Sequence, residues 1–540
     1  MRTTIRSLQL RTALTVAVIT LTACATGANL TGTGPKTRAE RTSYLETSHY
    51  SDVIGFLDSL KGRPELVFGS IGKTNEGRDI PYVVASRPRV STPEEARKLD
   101  RPIVYIQGNI HAGEVEGKEA LLAMLRDLTS STKPNALDSV VLIAVPDYNA
   151  DGNERFAHQE VNRGSQNGPQ MVGSRANAQA FDLNRDYIKA EAPETRASLA
   201  MFNKWDPDIF VDLHTTDGSY HGYALTYAPS LSPAAPLGVW TRDSIMTVLR
   251  ARMQSRHGFP TFDYGDFIND DTLSQGWATF EAKPRYGTNY YGLRGRIGIL
   301  SEAFSHDPFE RRVKSTYAFV QEILSLAAER HLHLVSRADQ SVMQNIPIRS
   351  EMAAAPDSIG VVAEIMERTG DSTRTQPGVP KGRRRTGKFI TVKMPVFDRF
   401  RPTLTIPRPS RYVIPAADTP AVRLLREHGI VVSEATNPFG ANNAVTGNGY
   451  VFMIDSTVVS QRLFQGHREM RLTGKWRQET RVIAPGSFIV DTSQPLGQLA
   501  IYLIEPQSDD GLVAWNFFDS EIHPGGLYPV FKIGGAPPTP

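Results

Sequence analysis

The chemistry of this chain starts from a histidine and a glutamate three residues apart. His111 and Glu114 lie in the stretch Gly108-Asn109-Ile110-His111-Ala112-Gly113-Glu114. The stretch follows Ile103-Val104-Tyr105-Ile106, whose β-branched and aromatic residues predict a buried strand. It precedes an apolar pattern at Ala120, Leu121, Met124, Leu125 and Leu128 that predicts a helix. In an α/β sheet, ligands bind just past the carboxyl ends of strands. Three-residue spacing near a helix start aims both side chains at one point. An imidazole and a carboxylate meeting there supply two ligands of a Zn2+ site, and a catalytic zinc takes three. The bare pair is common by chance, and a histidine after a strand often only bonds backbone, so the downstream residues decide.

Phe210-Val211-Asp212-Leu213-His214 reads as a strand ending in a histidine, and a neighbouring strand end is a natural source of a third ligand. His158, His221 and His306 are rivals, but none closes a clear buried strand. In Phe181-Asp182-Leu183-Asn184-Arg185-Asp186, Arg185 can fork onto a carboxylate and Asn184 can add a donor. Asp182 can accept from His111 and fix its tautomer. Glu302 is an acid set in the apolar run Ile299-Leu300-Ser301-Glu302-Ala303-Phe304, where a carboxylate needs a partner or a function. Pro146-Asp147-Tyr148-Asn149-Ala150-Asp151-Gly152 reads first as a tight turn.

The order H-x-x-E, P-x-x-N-x-D-G, D-x-N-R, strand-end His and strand Glu resembles the zinc metallocarboxypeptidases of the carboxypeptidase A type, over roughly residues 45–335. The resemblance implies one Zn2+ held by His111, Glu114 and His214, with Glu302 as general base. It implies that Asn184 and Arg185 bind the substrate's terminal carboxylate. For the arginine that polarises the scissile carbonyl, Arg163 is the candidate, with Arg155 and Arg175 as rivals. For the mobile tyrosine over the site, the candidates are Tyr290 and Tyr291, which also fit a packed aromatic pair. The chain departs from the family's archetypes at Gly113, where they carry an arginine inside H-x-x-E. The Gly-rich, aromatic segment from Gly258 to Arg296 does not align with the family pattern.

These residues need a scaffold. Further buried strands are expected at Val140–Val145 and Arg296–Ser301, with helices at Pro193–Trp205, Pro236–Gln254 and Phe309–Ala328. The alternation predicts an α/β fold, a mixed central sheet with helices on both faces, over 45–335. Residues 336–400 read as a linker or irregular segment containing the basic run Arg383-Arg384-Arg385, a solvated face. Residues 401–540 read as a smaller β-rich C-terminal domain.

The chain has 540 residues and a formal net charge of +3. Arg2, Arg6 and Arg11 account for that excess, and a nearly neutral remainder argues against nucleic-acid binding. Residues 1–23 read as a signal peptide, ending Leu21-Thr22-Ala23 before Cys24, the only cysteine. This resembles the lipobox of bacterial lipoproteins. It implies lipidation of Cys24, a flexible tether over 24–44, and attachment to a membrane of the cell envelope, on the outer-membrane side because Ala25 follows. The expected substrate is a peptide with a free C-terminus. The alternatives are a peptidoglycan-stem peptidase or amide deacylase using the same site, and a non-catalytic binding lipoprotein on the same fold. Nothing in the sequence fixes an oligomeric state.

Overall fold

The computed structural model describes residues 33–130, 132–338, 343–355, 357–369, 383–435 and 445–535. The signal segment and Cys24 lie outside the described residues. At the centre is an eight-stranded mixed sheet. Its strands are β1 (Leu66–Lys73), β2 (Asp79–Ala85), β3 (Ile103–Gly108), β4 (Val141–Val145), β5 (Ile209–Thr215), β6 (Leu225–Pro229), β7 (Thr261–Asp263) and β8 (Ile297–Ala303), in the spatial order β1-β2-β4-β3-β5-β8-β6-β7. The four inner strands β4, β3, β5 and β8 run parallel. Every residue of these four is buried, which is why they read as unbroken apolar runs rather than alternating ones.

Helices cover both faces. Glu116–Thr129 and Phe309–Glu329 pack on one, sharing a core with Val104, Ile106, Val211 and Ile299. Pro193–Trp205 and Gly287–Leu293 pack on the other, around Tyr105, Phe210 and Phe202. Proline at the start of Pro193–Trp205 and a left-handed Asp206 at its end set that helix's limits.

The second core does not stop at the catalytic unit. It continues into Tyr412, Leu425, Phe452, Tyr502 and Trp515 of the C-terminal part. That part carries a six-stranded sheet including Arg411–Ile414, Val445–Val459, Met470–Ile483 and Phe488–Asp491. Two expectations are corrected here. Much of 336–400 is not irregular: Asn345–Met352 pairs with Phe400–Pro407, and Ser358–Arg368 pairs with Arg383–Phe397. The latter hairpin joins the catalytic unit through Trp277–Ala278 and seats Val362 and Ala363 against Gly222 and His221. One end of it packs Val361, Ala363, Met394 and Val396 around Trp277, while Lys388, Phe389, Ile390 and Thr391 are exposed. Nor is the end of 24–44 a free tether. Thr37 and Glu40 form a capping box on Arg38–Arg41, Ala39 is buried, and Tyr44 packs edge-on against Phe309.

Candidate active site

The site forms where the carboxyl ends of β3, β5 and β8 meet. After Gly108, Asn109 turns the chain sharply, at φ 67°, with its buried side-chain amide donating to Asp147 and Asn153. That turn delivers His111, and the amide of Glu114 donates back to the His111 carbonyl. His214 lies in β5 and Glu302 in β8, opposite each other in register. Paired residues of adjacent parallel strands point to the same face, so the two side chains emerge together.

Nδ1 of His111 lies 3.0 Å from Glu114 Oε1, Nδ1 of His214 lies 3.0 Å from Glu114 Oε2, and the two Nδ1 atoms are 3.2 Å apart. Ligand atoms at zinc bond lengths on a tetrahedron are about 3.3 Å from one another. Two ring nitrogens and a carboxylate converging at this spacing can share one cation. The remaining nitrogens face carboxylates. His111 Nε2 is 3.0 Å from Asp182 Oδ1, and His214 Nε2 is 3.1 Å from Asp212 Oδ2. This carboxylate–imidazole arrangement fixes which nitrogen is free to ligate. The donor set fits a single zinc ion.

The electrostatics follow from burial and these pairs. Burial opposes ionisation of Glu114, but His111 and Arg163 outweigh it and hold its carboxyl well below the usual range. Asp182 is held down in the same way by His111, Arg175 and Arg185. Glu302 is pushed well above the usual carboxylate range by burial, reinforced by the charges of Glu114 and Asp217 against the pull of His214. Burial disfavours a charged His214, but Asp212 and Glu114 overcome it and raise its pKa well above the ordinary value.

Asn184 and Arg185 open onto the same cleft. They sit in a single turn, Leu183–Arg185, capped by the Asp182 carboxylate accepting from the Asn184 amide at 2.9 Å. Asn184 accepts from the Gly287 amide at 2.9 Å, and the Arg185 guanidinium lies 4.1 Å from the centre of the Tyr286 ring.

Three expectations are corrected. Arg163 does not line the cleft. Its buried guanidinium donates to Glu114, Asp217 and the carbonyls of Thr215 and Thr216, so it braces the site from behind. Arg175 lines the cleft instead, donating to Asp182 at 3.0 Å with Nη1 3.4 Å from Glu114. Tyr290 and Tyr291 are core residues with no exposed surface. The Tyr291 hydroxyl pairs with Ser198 and the Tyr290 hydroxyl with His428. The cleft's aromatic wall is Tyr264, Phe280 and Tyr286.

The structure also accounts for Gly113. A Cβ there would meet Arg163 Cγ at 2.6 Å and the Gly173 carbonyl at 3.0 Å, so Arg163 fills the space a side chain at 113 needs. Asp212 escaped the sequence reading, although its position two residues before His214 puts both on one face of a strand. Tyr264, Phe280 and Tyr286 escaped because they fall in the stretch without a family pattern. The Asn149 turn has a further job: its amide donates to the carbonyls of Ile110 and Arg175, tying the two loops together.

Residues 53–236 match the family model "Peptidase_M14: Zinc carboxypeptidase". Carboxypeptidase 2 of Trichophyton rubrum is 24% identical over 491 residues, covering 85% of this chain and 81% of that protein. Human carboxypeptidase D is 29% identical over 174 residues, 30% of this chain and 12% of its own length. Among solved structures, a metallo-carboxypeptidase from Burkholderia cenocepacia is similar at 17% identity and a TM-score of 0.39, covering 53% of this chain and 70% of its own. The matched region contains His111, Glu114 and His214, the three residues whose donor atoms converge. Residues 53–236 of this chain therefore carry a zinc carboxypeptidase domain, a peptide-bond hydrolase whose His111, Glu114 and His214 can hold a zinc ion.

Proposed function

We propose that the chain removes C-terminal residues from peptides, with Glu302 as general base. The observation that carries the reading is one cleft holding a three-donor metal set, a buried carboxylate in register with His214, and the Asn184–Arg185 turn. His111, Glu114 and His214 hold the zinc, which when bound polarises the scissile carbonyl and lowers the pKa of its water toward about 7. Glu302 takes a proton from the attacking water and hands it to the leaving amine; its raised pKa suits a group that must both accept and return a proton. Arg175, rather than Arg163, donates to the carbonyl oxygen as negative charge builds there. Arg185, oriented by the Tyr286 ring, and Asn184 receive the terminal carboxylate.

An internal peptide bond offers no such carboxylate, so the arrangement favours exopeptidase over endopeptidase action. The test is a matched pair of peptides, one with a free C-terminus and one amidated. Release of the terminal residue from the free acid alone supports the reading; equal cleavage of both contradicts it.

The proposal extends to location. The basic start, the short apolar run and Leu21-Thr22-Ala23-Cys24 support export and lipid attachment at Cys24. Incorporation of labelled fatty acid in a bacterial host, abolished by Cys24→Ser, tests it; label retained in that variant contradicts it.

A further inference from the structure

The two segments that build the carboxylate subsite are each tied to the C-terminal part of the chain. The backbone amide of Asp182, which opens the turn carrying Asn184 and Arg185, donates to Gln465 Oε1 at 3.0 Å. Gln465 sits in the tight turn between Val445–Val459 and Met470–Ile483, with φ 50°, next to the Phe464–His467 bridge. Its neighbour His467 pairs with Glu191 at 2.9 Å on the same catalytic loop.

The opposing segment is pinned as firmly. The buried Asp510 accepts from the Arg285 backbone amide at 2.7 Å, from its Nε at 2.9 Å and from its Nη2 at 2.7 Å. Glu469 takes a further bond from Arg285, whose guanidinium lies 4.6 Å from the Trp515 ring centre. The residue after Arg285 is Tyr286, which stacks on Arg185, and Gly287 donates to Asn184. Asp182–Arg185 is a single turn, and Arg285 and Tyr286 form the turn that leads into the helix Gly287–Leu293, so both segments depend on the contacts that hold them.

We infer that the C-terminal part completes the carboxylate subsite, with Gln465 and Asp510 as positioning residues that set Arg185 and Tyr286 for the substrate's terminal carboxylate. Neither touches substrate; they act through the Asp182–Arg185 turn and the Arg285–Gly287 segment. This rests on the assignment of Asn184 and Arg185 to that carboxylate.

The experiment compares the zinc-loaded full-length protein with Gln465→Ala, Asp510→Asn and Arg185→Ala, using a free-acid peptide and its amide. Gln465 is half-exposed in a turn, so its truncation leaves both cores intact and is informative even if Asp510→Asn fails to fold. Loss of one positioning hydrogen bond predicts a KM about fivefold higher for the free acid. The inference also predicts kcat within about twofold, unchanged kinetics on the amide and unchanged zinc content. An unchanged KM, or an equal rise for the amide, in Gln465→Ala overturns the inference. If Arg185→Ala discriminates between acid and amide while Gln465→Ala does not, only the positioning role is lost. If Arg185→Ala does not discriminate, the carboxylate assignment falls and this inference falls with it.

Discussion

Asp212 offers a quantitative test of the metal site, because it lies behind the donor set and cannot touch substrate. It is fully buried, with Oδ2 3.1 Å from His214 Nε2 and Oδ1 accepting from the Gln107 amide at 3.1 Å. With His214 ligating through Nδ1, its Nε2 carries the proton, so Oδ2 faces one N–H and Oδ1 accepts from the other. In Asp212→Asn only one acceptor remains, and the new NH2 faces a donor whichever way the amide turns. A hydrogen bond to a charged group contributes roughly 1.5–3 kcal/mol. At about 1.4 kcal/mol per decade, its loss weakens zinc binding roughly 10- to 100-fold, the range found for carboxylates behind metal-bound histidines. The assay is the zinc dissociation constant, by competition with a chromophoric chelator at fixed pH. Activity at saturating zinc recovers far more than affinity does, because the residues facing the cleft are unchanged. A dissociation constant within about threefold of the parent would show that Asp212 does not orient His214.

Two further outcomes follow from the packing. Gly113→Ala brings a methyl to 2.6 Å from Arg163 Cγ, and the overpacking costs about 1–3 kcal/mol in denaturant unfolding; an unchanged midpoint would mean Arg163 moves freely. His428 is fully buried between the Tyr290 hydroxyl and the Ile188 carbonyl, and burial lowers its pKa from 6.5 to about 3. Between those values the unfolded chain binds the proton and the folded chain does not, so this group makes stability fall as pH falls from 6.5 toward 3. His428→Gln removes that slope. The stability difference between parent and variant therefore shrinks by about 1.4 kcal/mol per pH unit on acidification, and urea unfolding at neutral and mildly acidic pH measures it. A constant difference would show that His428 protonates in place.

What the sequence made legible was local. Ile103–Ile106 followed by an apolar helical pattern identified β3 and the helix after it, and an acid inside an apolar run singled out Glu302. The pairing of β5 with β8, which brings His214 beside Glu302, joins residues far apart in the chain. No local pattern encodes it, so convergence had to be inferred from the order of motifs. The choice between Arg163 and Arg175 depends on the path of one loop, which packs Arg163 against Gly113. Tyr290 and Tyr291 carry a polar tip that suits a cleft, yet they lie on the helix Gly287–Leu293 facing Tyr187, Phe202 and Phe210. The hairpin Ser358–Arg368 and Arg383–Phe397 buries Val361, Ala363, Met394 and Val396, but the Arg383-Arg384-Arg385 run at the start of its second strand masks the apolar positions that follow. Thr37 and Glu40 show the reverse case: a capping box is written in the sequence, but the surrounding Gly/Thr-rich composition masks it.

In the proposed reaction the buried Glu302 carboxylate beside the zinc-holding triad drives hydrolysis at a free C-terminus. Its most direct test is the turnover of a free-acid peptide by Glu302→Gln prepared with one zinc per chain. The account predicts retained metal and a rate lowered by roughly 100-fold or more; turnover close to that of the parent would contradict it.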